Sequence, residues 1–482
     1  MHTPFFPAWR PRLAALGRRV ERLRQHSLHH LEEIFGRFLP AGLLAQADQG
    51  PNSRERIYSV RRVFWGFLYQ VLNPHCPCRE VVRQVQAFFR LHNLGTVDEG
   101  TGGYCTARLR FALDILQRLR HAVAAHAQRA LPVAEQLWHG LTPKVIDGTT
   151  VTLPDTPTNQ RAYPQSRSQK PGCGFPLLKL VGIFSLASGA LMDYAKGNKH
   201  QHELTLLHRL LDHFKPRDLV LADRGFSNYV LIALLQLRWV ESLFRLHQAR
   251  RVDLRKGKRL GPNDRLLTWR KPQLKPRYLP NTLWKRIPSE LTVRVLRFQL
   301  RVPGYRPTSV ILVTTLIDPK TYPAQELAQL YARRWRIELW FRDIKTSMGM
   351  ERLRCQTPKM VHKELEMFLI AYNLIRALVT HASAGHQVPV DRISFKGTVG
   401  ASRQYSLAIA QARSKKKRQE LVADLLRVIA LDQVPDRPRR REPRAVKRRP
   451  KPYPLLNKPR RQFKDTPHRS RYRKNNTRKA RA

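Results

Sequence analysis

Three acidic residues stand out because of the residues that surround them. Asp147 follows the apolar stretch KVI and precedes a glycine, and Asp223 follows LVLA and precedes Arg224 and Gly225. Glu338 comes 115 residues after Asp223, in a segment rich in Arg and Trp. Carboxylates at the ends of buried strands can converge above one sheet edge, and Mg²⁺ prefers carboxylate and phosphate oxygens. The three residues therefore form a candidate site for metal-assisted chemistry on phosphates.

The segment around Glu338 has the periodicity of a helix. Its apolar residues predict one long helix over residues 323–348. At about 100° per residue, Tyr331, Arg334, Glu338 and Lys345 fall within a stripe about 60° wide on that helix. A carboxylate flanked by two cations suits phosphodiester chemistry, because the cations can hold phosphates while the carboxylate holds a metal. The tyrosine can add a hydroxyl or a stacking face.

Each candidate has a structural explanation or a rival. Aspartates at strand ends often cap turns, and a glutamate between Arg and Lys on a helix often belongs to a surface ladder of ion pairs. Asp155 is a rival to Asp147 in the same segment, whereas Asp343 and Glu351 lie off the stripe that contains Glu338. A further group resembles a metal cluster, although capping of a helix explains it as well: His200, His202 and Glu203.

The charge of the chain favours nucleic acid as its partner. Lys and Arg number 89 against 35 Asp and Glu, which gives a net charge of +54. A polyanion offsets the self-repulsion of such a chain, and each neutralised phosphate releases condensed counterions. Residues 435–482 carry 20 Lys and Arg against 3 Asp and Glu. This Pro-rich stretch is predicted to be a disordered basic tail that binds phosphates without reading sequence.

The periodicity changes along the chain and predicts several domains. Residues 1–140 read as an all-helical, basic DNA-binding domain. Residues 141–385 read as an α/β catalytic domain with the order strand, strand, strand, helix, strand, helix. A β-rich stretch over residues 240–320 interrupts this domain as an insertion, and residues 386–434 read as a C-terminal helical region. No apolar run of the roughly 18 to 20 residues of a spanning helix is expected, nor is a signal peptide.

The sequence blocks around the three carboxylates resemble those of a known enzyme family. DGTTVTLPD, LADRGFSNY and YARRWRIELWFRDIK resemble blocks of the bacterial insertion-sequence DDE transposases. The spacing Tyr-x2-Arg-x3-Glu-x6-Lys resembles the Tyr-Arg-Glu-Lys signature of the insertion-sequence-four family, and the resemblance spans roughly residues 140–385. It implies a ribonuclease-H-like core with a β insertion between the second aspartate and the glutamate. It also implies a cytoplasmic bacterial protein associated with the nucleoid.

The resemblance implies a DNA transposase that cleaves at insertion-sequence ends and joins them to target DNA. The implied cofactor is a pair of Mg²⁺ ions, with Mn²⁺ as a substitute, and the first aspartate bridges both. The implied catalytic and metal-binding residues are Asp147, Asp223 and Glu338. The residues expected to contact DNA are Tyr331, Arg334, Trp335 and Lys345. The expected partners are double-stranded DNA, both element ends and target, and a second copy of the chain in the synapse.

One position departs from the pattern of some relatives. These relatives carry a tryptophan at the end of a strand of the insertion, where it receives a flipped base during hairpin formation, and this chain has Val310 there. Trp269, Trp284 or Trp335 could take its place. Two other functions stay open: a ribonuclease-H-like endonuclease without strand transfer, and a catalytically silent DNA-binding relative. The intact set of three carboxylates argues against the silent relative.

Overall fold

The computed structural model describes residues 30–40, 42–46, 57–74, 76–91, 93–250, 252–300, 308–435 and 458–463. Most of the tail predicted over residues 435–482 lies outside this part of the chain. The α-helices of the described part are α1 (Leu31–Phe35), α2 (Leu43–Gln46), α3 (Val60–Leu72), α4 (Cys78–Leu91), α5 (Gly102–Arg110), α6 (Leu113–Arg129), α7 (Val133–Gln136), α8 (Pro157–Ala162), α9 (Glu203–His208), α10 (Tyr229–Gln236), α11 (Asn281–Arg286), α12 (Ala324–Ala332), α13 (Arg336–Arg342), α14 (Pro358–His386), α15 (Phe395–Gln411) and α16 (Lys415–Leu431).

The strands of the described residues form a single mixed sheet. They are β1 (Thr142–Thr152), β2 (Leu177–Ser185), β3 (Leu191–Asn198), β4 (Asp218–Ala222), β5 (Glu241–Arg245), β6 (Lys258–Gly261), β7 (Asp264–Arg270), β8 (Glu290–Leu300) and β9 (Thr308–Thr314). Their order is β3-β2-β1-β4-β5-β9-β8-β7-β6. β1, β4 and β5 run parallel to one another, whereas the other neighbours are antiparallel. The predicted mixed α/β class is confirmed.

Helices cover both faces of this sheet, because successive side chains of a strand point to opposite sides. On β1, Val145 packs in one core together with α6, α13 and α14, and Ile146 packs in a second core together with α9 and α10. On β4, Leu221 and Val220 divide in the same way between the two cores. The two strands are therefore buried on both sides, which fixes the positions of the residues that follow them.

The β-rich stretch continues the sheet of the α/β part. β9 pairs with β5, with Phe244 opposite Val313. Further along, an ion pair between Arg294 and Asp264 is buried, with 2.6 Å between Nη2 and Oδ2. β5 lies within residues 240–320, the predicted insertion, yet it is parallel to β4. No change in the sequence pattern separates this strand from the β-rich residues that follow it.

A buried network joins the N-terminal helices to the α/β part. Arg120 of α6 donates from Nε to Glu366 of α14 at 2.9 Å and from Nη2 to Asp193 of β3 at 3.0 Å. Both Arg120 and Glu366 are buried. Because a buried charge without a partner is costly, this network fixes α6 against α14 and the sheet.

The single long helix predicted over residues 323–348 is divided. α12 ends at Ala332, Arg333–Trp335 form a 3₁₀ turn, α13 follows, and Asp343–Ser347 form a π-helical turn. The 3₁₀ turn winds more tightly than an α-helix and the π turn more loosely, so the 100° rule holds only within each piece. The prediction of a helical segment was right, but that of a uniform helix was wrong.

α14 is the central helix of the larger core. By length and composition it is apolar enough to cross a membrane, contrary to the expectation of no such run, but 89% of its most apolar window is buried inside the protein. It packs against α6, α3 and α16. A helix that is apolar on all sides is expected at the centre of a large domain, where every face meets another element.

Candidate active site

The two aspartates lie side by side on neighbouring parallel strands. Ile146 of β1 is paired with Ala222, the last residue of β4, so Asp147 is the next residue of β1 and Asp223 directly follows β4. The apolar stretch KVI ends at Asp147, but β1 continues to Thr152, over most of the strand KVIDGTTVTL that the sequence predicts. Only its pairing with β4 ends at this point. The carboxylate therefore lies where β4 stops, on a strand that β2 continues to support.

Burial is the main influence on Asp147. It raises the pKa of the Asp147 carboxyl to about 6. The backbone N–H of Gly148, which donates to Oδ1 at 2.7 Å, and the nearby Arg334 oppose this rise, whereas Glu203 and Asp223 add to it. Asp147 is thus half-buried, and the positive charge of Arg334 acts on it more strongly than either neighbouring carboxylate, yet burial still keeps its pKa raised. Such a group favours a bound cation.

Asp223 lacks a partner for one of its oxygens. Its Oδ1 is buried and accepts no hydrogen bond from any residue that the structure describes. A buried carboxylate oxygen without a donor costs free energy unless it binds a proton or a cation. Asp223 also raises the pKa of both other candidates, Asp147 and Glu338. The charge of Asp223 therefore acts on both of the other carboxylates.

Aromatic packing holds Glu338 at the sheet. Phe184 of β2 stacks on Trp340 with 5.5 Å between ring centroids and meets Phe341 edge-on at 5.2 Å. These contacts fix α13 over β1 and β2, and Glu338 lies two residues before Trp340 and three before Phe341 on that helix. Partial burial raises the pKa of Glu338, Arg334 opposes the rise, and Asp223 adds to it.

Arg334 is the buried cation of the site. It is only 4% exposed, and its Nη2 lies 3.7 Å from Oε1 of Glu338. Its guanidinium lies over two rings, at 5.7 Å from the centroid of Tyr331 and 5.3 Å from that of Trp335. Tyr331 is itself buried, and burial raises its pKa to about 12. Within this segment the predicted neighbours Tyr331, Arg334 and Glu338 do lie together.

Lys345 approaches the same strand from the π-helical turn. Its Nζ lies 3.4 Å from Oγ1 of Thr149, two residues after Asp147 on β1. It also lines a cavity of about 880 Å³ between the N-terminal helices and the segment that follows the π turn. The charged residues on the wall of this cavity are Arg108, Lys345, Glu351, Arg352, Arg354 and Glu364.

The residues present fit a divalent cation in part. Two adjacent aspartates, one with an unpaired buried oxygen, form an acceptor set of the kind that Mg²⁺ prefers. However, no group of three or more Asp, Glu, His or Cys side chains among the described residues is close enough to hold a metal ion. Glu338 is a charge neighbour of Asp223, and Arg334 is its ion-pair partner in this conformation.

The rivals weighed from the sequence have other roles. Asp155 accepts a hydrogen bond from Gln160 at 2.9 Å. Asp343 is buried next to Arg376, away from the aspartate pair. His202 caps α9 by accepting from the N–H of Leu204 at 3.3 Å.

Glu203 differs from these rivals, because its carboxylate lies against Gly148 of β1 and its charge adds to the rise in the pKa of Asp147. Arg245, at the end of β5, is a neighbour of Tyr331 that the sequence analysis did not identify. Its position directly after the buried residues SLF is the signal that could have found it.

The tryptophans of the β-rich stretch are engaged in contacts with cations. Val310 is buried in β9 opposite Phe298. Trp269 is buried, with the guanidinium of Arg250 at 4.0 Å from its centroid, and Trp284 has the Nζ of Lys271 at 4.2 Å. Trp335 is the remaining candidate for a base contact and lies beside Arg334 in the active site.

Comparison with known proteins identifies the family. Residues 138–374 match the family described as "Transposase DDE domain". The chain is 30% identical over 447 residues to transposase InsG for insertion sequence element IS4 of Escherichia coli (strain K12), an alignment that covers 90% of this chain and 96% of that protein. This chain belongs to the insertion-sequence-four family of DDE transposases. The resemblance given by the three sequence blocks is thereby confirmed, and with it a place among enzymes of DNA transposition that use divalent metal ions.

Two further proteins are less similar to this transposase. Putative transposase InsZ of Escherichia coli (strain K12) is 29% identical over 99 residues, which cover 20% of this chain and 33% of that protein. The cryo-EM structure of the piggyBac transposase synaptic complex with hairpin DNA aligns with a TM-score of 0.41 and 10% identity, over 83% of this chain and 84% of that one.

Proposed function

We propose that this transposase cuts DNA at the ends of an insertion sequence and joins those ends to target DNA by cut-and-paste transposition. One observation carries the proposal: Asp147 lies on β1 and Asp223 directly after the neighbouring parallel strand β4, and a helix packed on the same sheet carries Glu338, whose pKa Asp223 raises. The three carboxylates are the proposed catalytic and metal-binding residues. The strand order β3-β2-β1-β4-β5 supports a ribonuclease-H-like core around them.

The proposed cofactor is a pair of Mg²⁺ ions, with Mn²⁺ as a substitute. When bound, such ions lower the pKa of an attacking water or 3′-hydroxyl and stabilise the leaving oxygen. The protein supplies the acceptors: Asp147 and Asp223 from the sheet, and Glu338 from α13. Arg334 holds Glu338 close to the sheet through their ion pair.

The cations around the carboxylates are suited to hold DNA. Lys345 lines the cavity next to β1, and Arg108 of the N-terminal helices lines it too. We therefore assign DNA contact to Arg334, Trp335 and Lys345, and to the helical domain proposed over residues 1–140. Tyr331, buried under the guanidinium of Arg334, contributes by holding that side chain in place.

The remaining assignments follow from the same site. The proposed catalytic domain spans residues 141–385, with a β-rich insertion over residues 240–320 between Asp223 and Glu338. Residues 386–434 form the proposed C-terminal helical region, and the basic tail over residues 435–482 adds non-specific affinity for phosphates. We propose double-stranded DNA as partner, a homodimer that holds two ends in the synapse, and a place at the nucleoid of the bacterial cytoplasm.

The test is a cleavage assay on a supercoiled plasmid that carries the two ends of the element encoding this chain. Excision is expected to need Mg²⁺ or Mn²⁺ and to be lost in Asp147→Ala, Asp223→Ala and Glu338→Ala. The matched control is Glu135→Ala, which removes an exposed glutamate from the first turn of α7. This variant is expected to cleave like the wild type.

The products distinguish the alternatives. Joined products in a second plasmid support transposition, whereas cleavage without any joined product favours an endonuclease. Binding to DNA without cleavage under any metal condition would indicate a silent relative. Unchanged cleavage in Asp147→Ala and Glu338→Ala would refute the assignment of the site.

A further inference from the structure

We propose that Arg108 of α5 binds a phosphate group of the DNA strand that crosses the active site. The phosphate enters the cavity of about 880 Å³ between the N-terminal helices and the segment that follows the π-helical turn. The inference rests on the proposed function, because it assumes that this protein acts on DNA. It assigns one phosphate contact to one residue of the N-terminal helices.

The guanidinium of Arg108 is buried and has only weak partners. Arg108 is 8% exposed, and no ion pair among the described residues includes it. Its Nη1 lies 3.3 Å from Sγ of Cys78 and 3.4 Å from Oε1 of Gln70. Its Nη2 lies 3.5 Å from Sγ of Cys355, and its Nε is buried without an acceptor in the described part of the chain. Because sulfur is a weak acceptor, this buried charge is poorly compensated.

The orientation of this guanidinium suits an anion. Its Cζ lies 3.9 Å from the centroid of the Phe67 ring, so an aromatic side chain covers one face of the planar group. A stacked guanidinium keeps its N–H donors along its edge, where they can form two parallel hydrogen bonds with phosphate oxygens. Since Arg108 also lines the cavity, a phosphate there can reach these donors.

The charged residues on the cavity wall favour an anion as well. Four are cations and two are carboxylates: Arg108, Lys345, Arg352 and Arg354 against Glu351 and Glu364. Glu364 is the carboxylate whose charge acts on Arg108. Its oxygens, however, accept from the backbone N–H groups of Arg354 and Cys355 at 2.9–3.0 Å. The guanidinium of Arg108 is therefore left for another anion.

The cavity lies at the end of the strand that carries Asp147. Lys345, on its wall, has its Nζ 3.4 Å from Oγ1 of Thr149 of β1. Arg352, on the same wall, forms a parallel bridge with Thr152, the last residue of β1. A DNA strand with its scissile phosphate at Asp147 can therefore continue along β1 and bring another phosphate to the cavity.

The size and the apolar part of the cavity favour a nucleotide of a strand over a lone phosphate ion. Its volume lies within the range of about 300–1,000 Å³ that is typical of pockets for drug-sized ligands. Apolar side chains line it beside the charged ones: Phe67, Val71, Met348 and Phe368. Packing alone explains less, because an uncharged side chain would fill the place of Arg108 without the cost of burying a charge.

The first test compares DNA binding by full-length wild type and Arg108→Met, on a duplex that carries an end of the element. Arg108→Met should weaken binding about 10- to 100-fold and lower the slope of log K against log salt by about 1, the loss expected for one phosphate contact. Arg108→Lys keeps the charge and should recover part of the affinity. The control Arg403→Met makes the same change at an exposed residue of α15 and should bind like the wild type. An unchanged affinity and slope for Arg108→Met would overturn the inference.

A change in the DNA identifies the phosphate. Each phosphate near the cleavage position is replaced in turn by an uncharged methylphosphonate. One replacement is expected to weaken binding by the wild type but to have little effect on binding by Arg108→Met, because both changes remove the same contact. If every replacement affects the two proteins equally, Arg108 contacts none of these phosphates and the inference is wrong.

The stability of the DNA-free protein separates a binding role from a packing role. Because an uncompensated buried charge is costly, the Tm of Arg108→Met should equal or exceed that of the wild type. Inorganic phosphate, compared with chloride at equal ionic strength, should raise the Tm of the wild type and not that of the variant. A lower Tm for the variant, with no effect of phosphate on the wild type, would assign Arg108 to packing and refute the inference.

The failure of this inference differs from that of the proposed function. If Arg108→Met loses the stabilisation by inorganic phosphate but binds DNA like the wild type, the cavity takes a free phosphate compound and the assignment to DNA is wrong. In that case the loss of cleavage in Asp147→Ala would still support the proposed function. If the wild type neither binds nor cleaves DNA with the element end, the proposed function itself fails.

Discussion

Asp147→Asn is expected to stabilise the metal-free protein at neutral pH while it abolishes cleavage. The variant removes the charge but keeps an oxygen that can accept the hydrogen bond from Gly148. Burial raises the pKa of Asp147 from 3.8 to about 6. At about 1.4 kcal/mol for each pH unit, the charged carboxylate costs the folded state about 3 kcal/mol above pH 6.

The size of this gain in stability depends on pH. Below pH 3.8 the carboxyl group is protonated in both the folded and the unfolded protein, so the wild type has no disadvantage. Between pH 3.8 and about 6 the unfolded chain loses its proton first, and the stability of the wild type falls. The gain from Asp147→Asn should therefore be fully present at pH 7.5, decrease below pH 6, and disappear near pH 4.

Thermal unfolding in EDTA measures this gain. A free energy of 1 kcal/mol corresponds to roughly 2–4 °C for domains of 150–250 residues, so the Tm should rise by several degrees at pH 7.5. Asp212→Asn, at a side chain that is 95% exposed, is the control and should leave the Tm within about 1 °C. An unchanged or lower Tm for Asp147→Asn at pH 7.5, or a gain that persists at pH 4, would refute the reasoning. Added Mg²⁺ should then stabilise the wild type more than the variant.

Four other outcomes are expected. Phe184→Ala should lower the free energy of unfolding by about 3–5 kcal/mol and slow cleavage, since the aromatic stack that holds the helix of Glu338 is lost. Denaturant unfolding measures the loss of stability, and single-turnover cleavage measures the rate. A normal cleavage rate would contradict the role of the stack. Arg334→Lys should slow cleavage although it keeps the charge, because a lysine cannot reproduce the planar contact with the rings of Tyr331 and Trp335. A wild-type cleavage rate for this variant would contradict the role of the planar contact. Lys345→Ala should weaken DNA binding evenly across sequences and reduce the slope of log K against log salt by about 1 in filter binding, whereas an unchanged slope argues against a phosphate contact. Deletion of residues 436–482 should reduce that slope further while leaving the metal requirement of cleavage unchanged.

The sequence predicted the elements of the site better than their arrangement. The apolar runs before Asp147 and Asp223 correctly predicted both strands, because a strand that is buried on both faces has a continuous run of apolar residues. The parallel pairing that sets the two carboxylates side by side depends on contacts between residues about 75 positions apart, which no local pattern records. The extension of β1 beyond Asp147 was predicted, since the strand pattern covers KVIDGTTVTL.

The helix that carries Glu338 shows a second limit. Helical spacing correctly predicted that Arg334 and Glu338 lie together. Helical spacing could not predict the 3₁₀ and π-helical turns on either side of α13, since it assumes that every residue rotates the helix by the same angle. Glu203 was weighed with two histidines as a possible metal cluster. Its contact with Gly148 required the packing of α9 on the sheet.

The junction between β5 and β9 limits how this protein can be divided. An insertion that leaves its host domain intact can be removed or exchanged as a unit. Here β9, the last strand of the β-rich stretch, covers the hydrogen-bonding edge of β5. A shortened protein that lacked β6 to β9 would expose that edge on a flat, apolar strand and would be prone to associate through it. Engineering of a smaller transposase should therefore keep β8 and β9 in place and restrict changes to the outer strands β6 and β7.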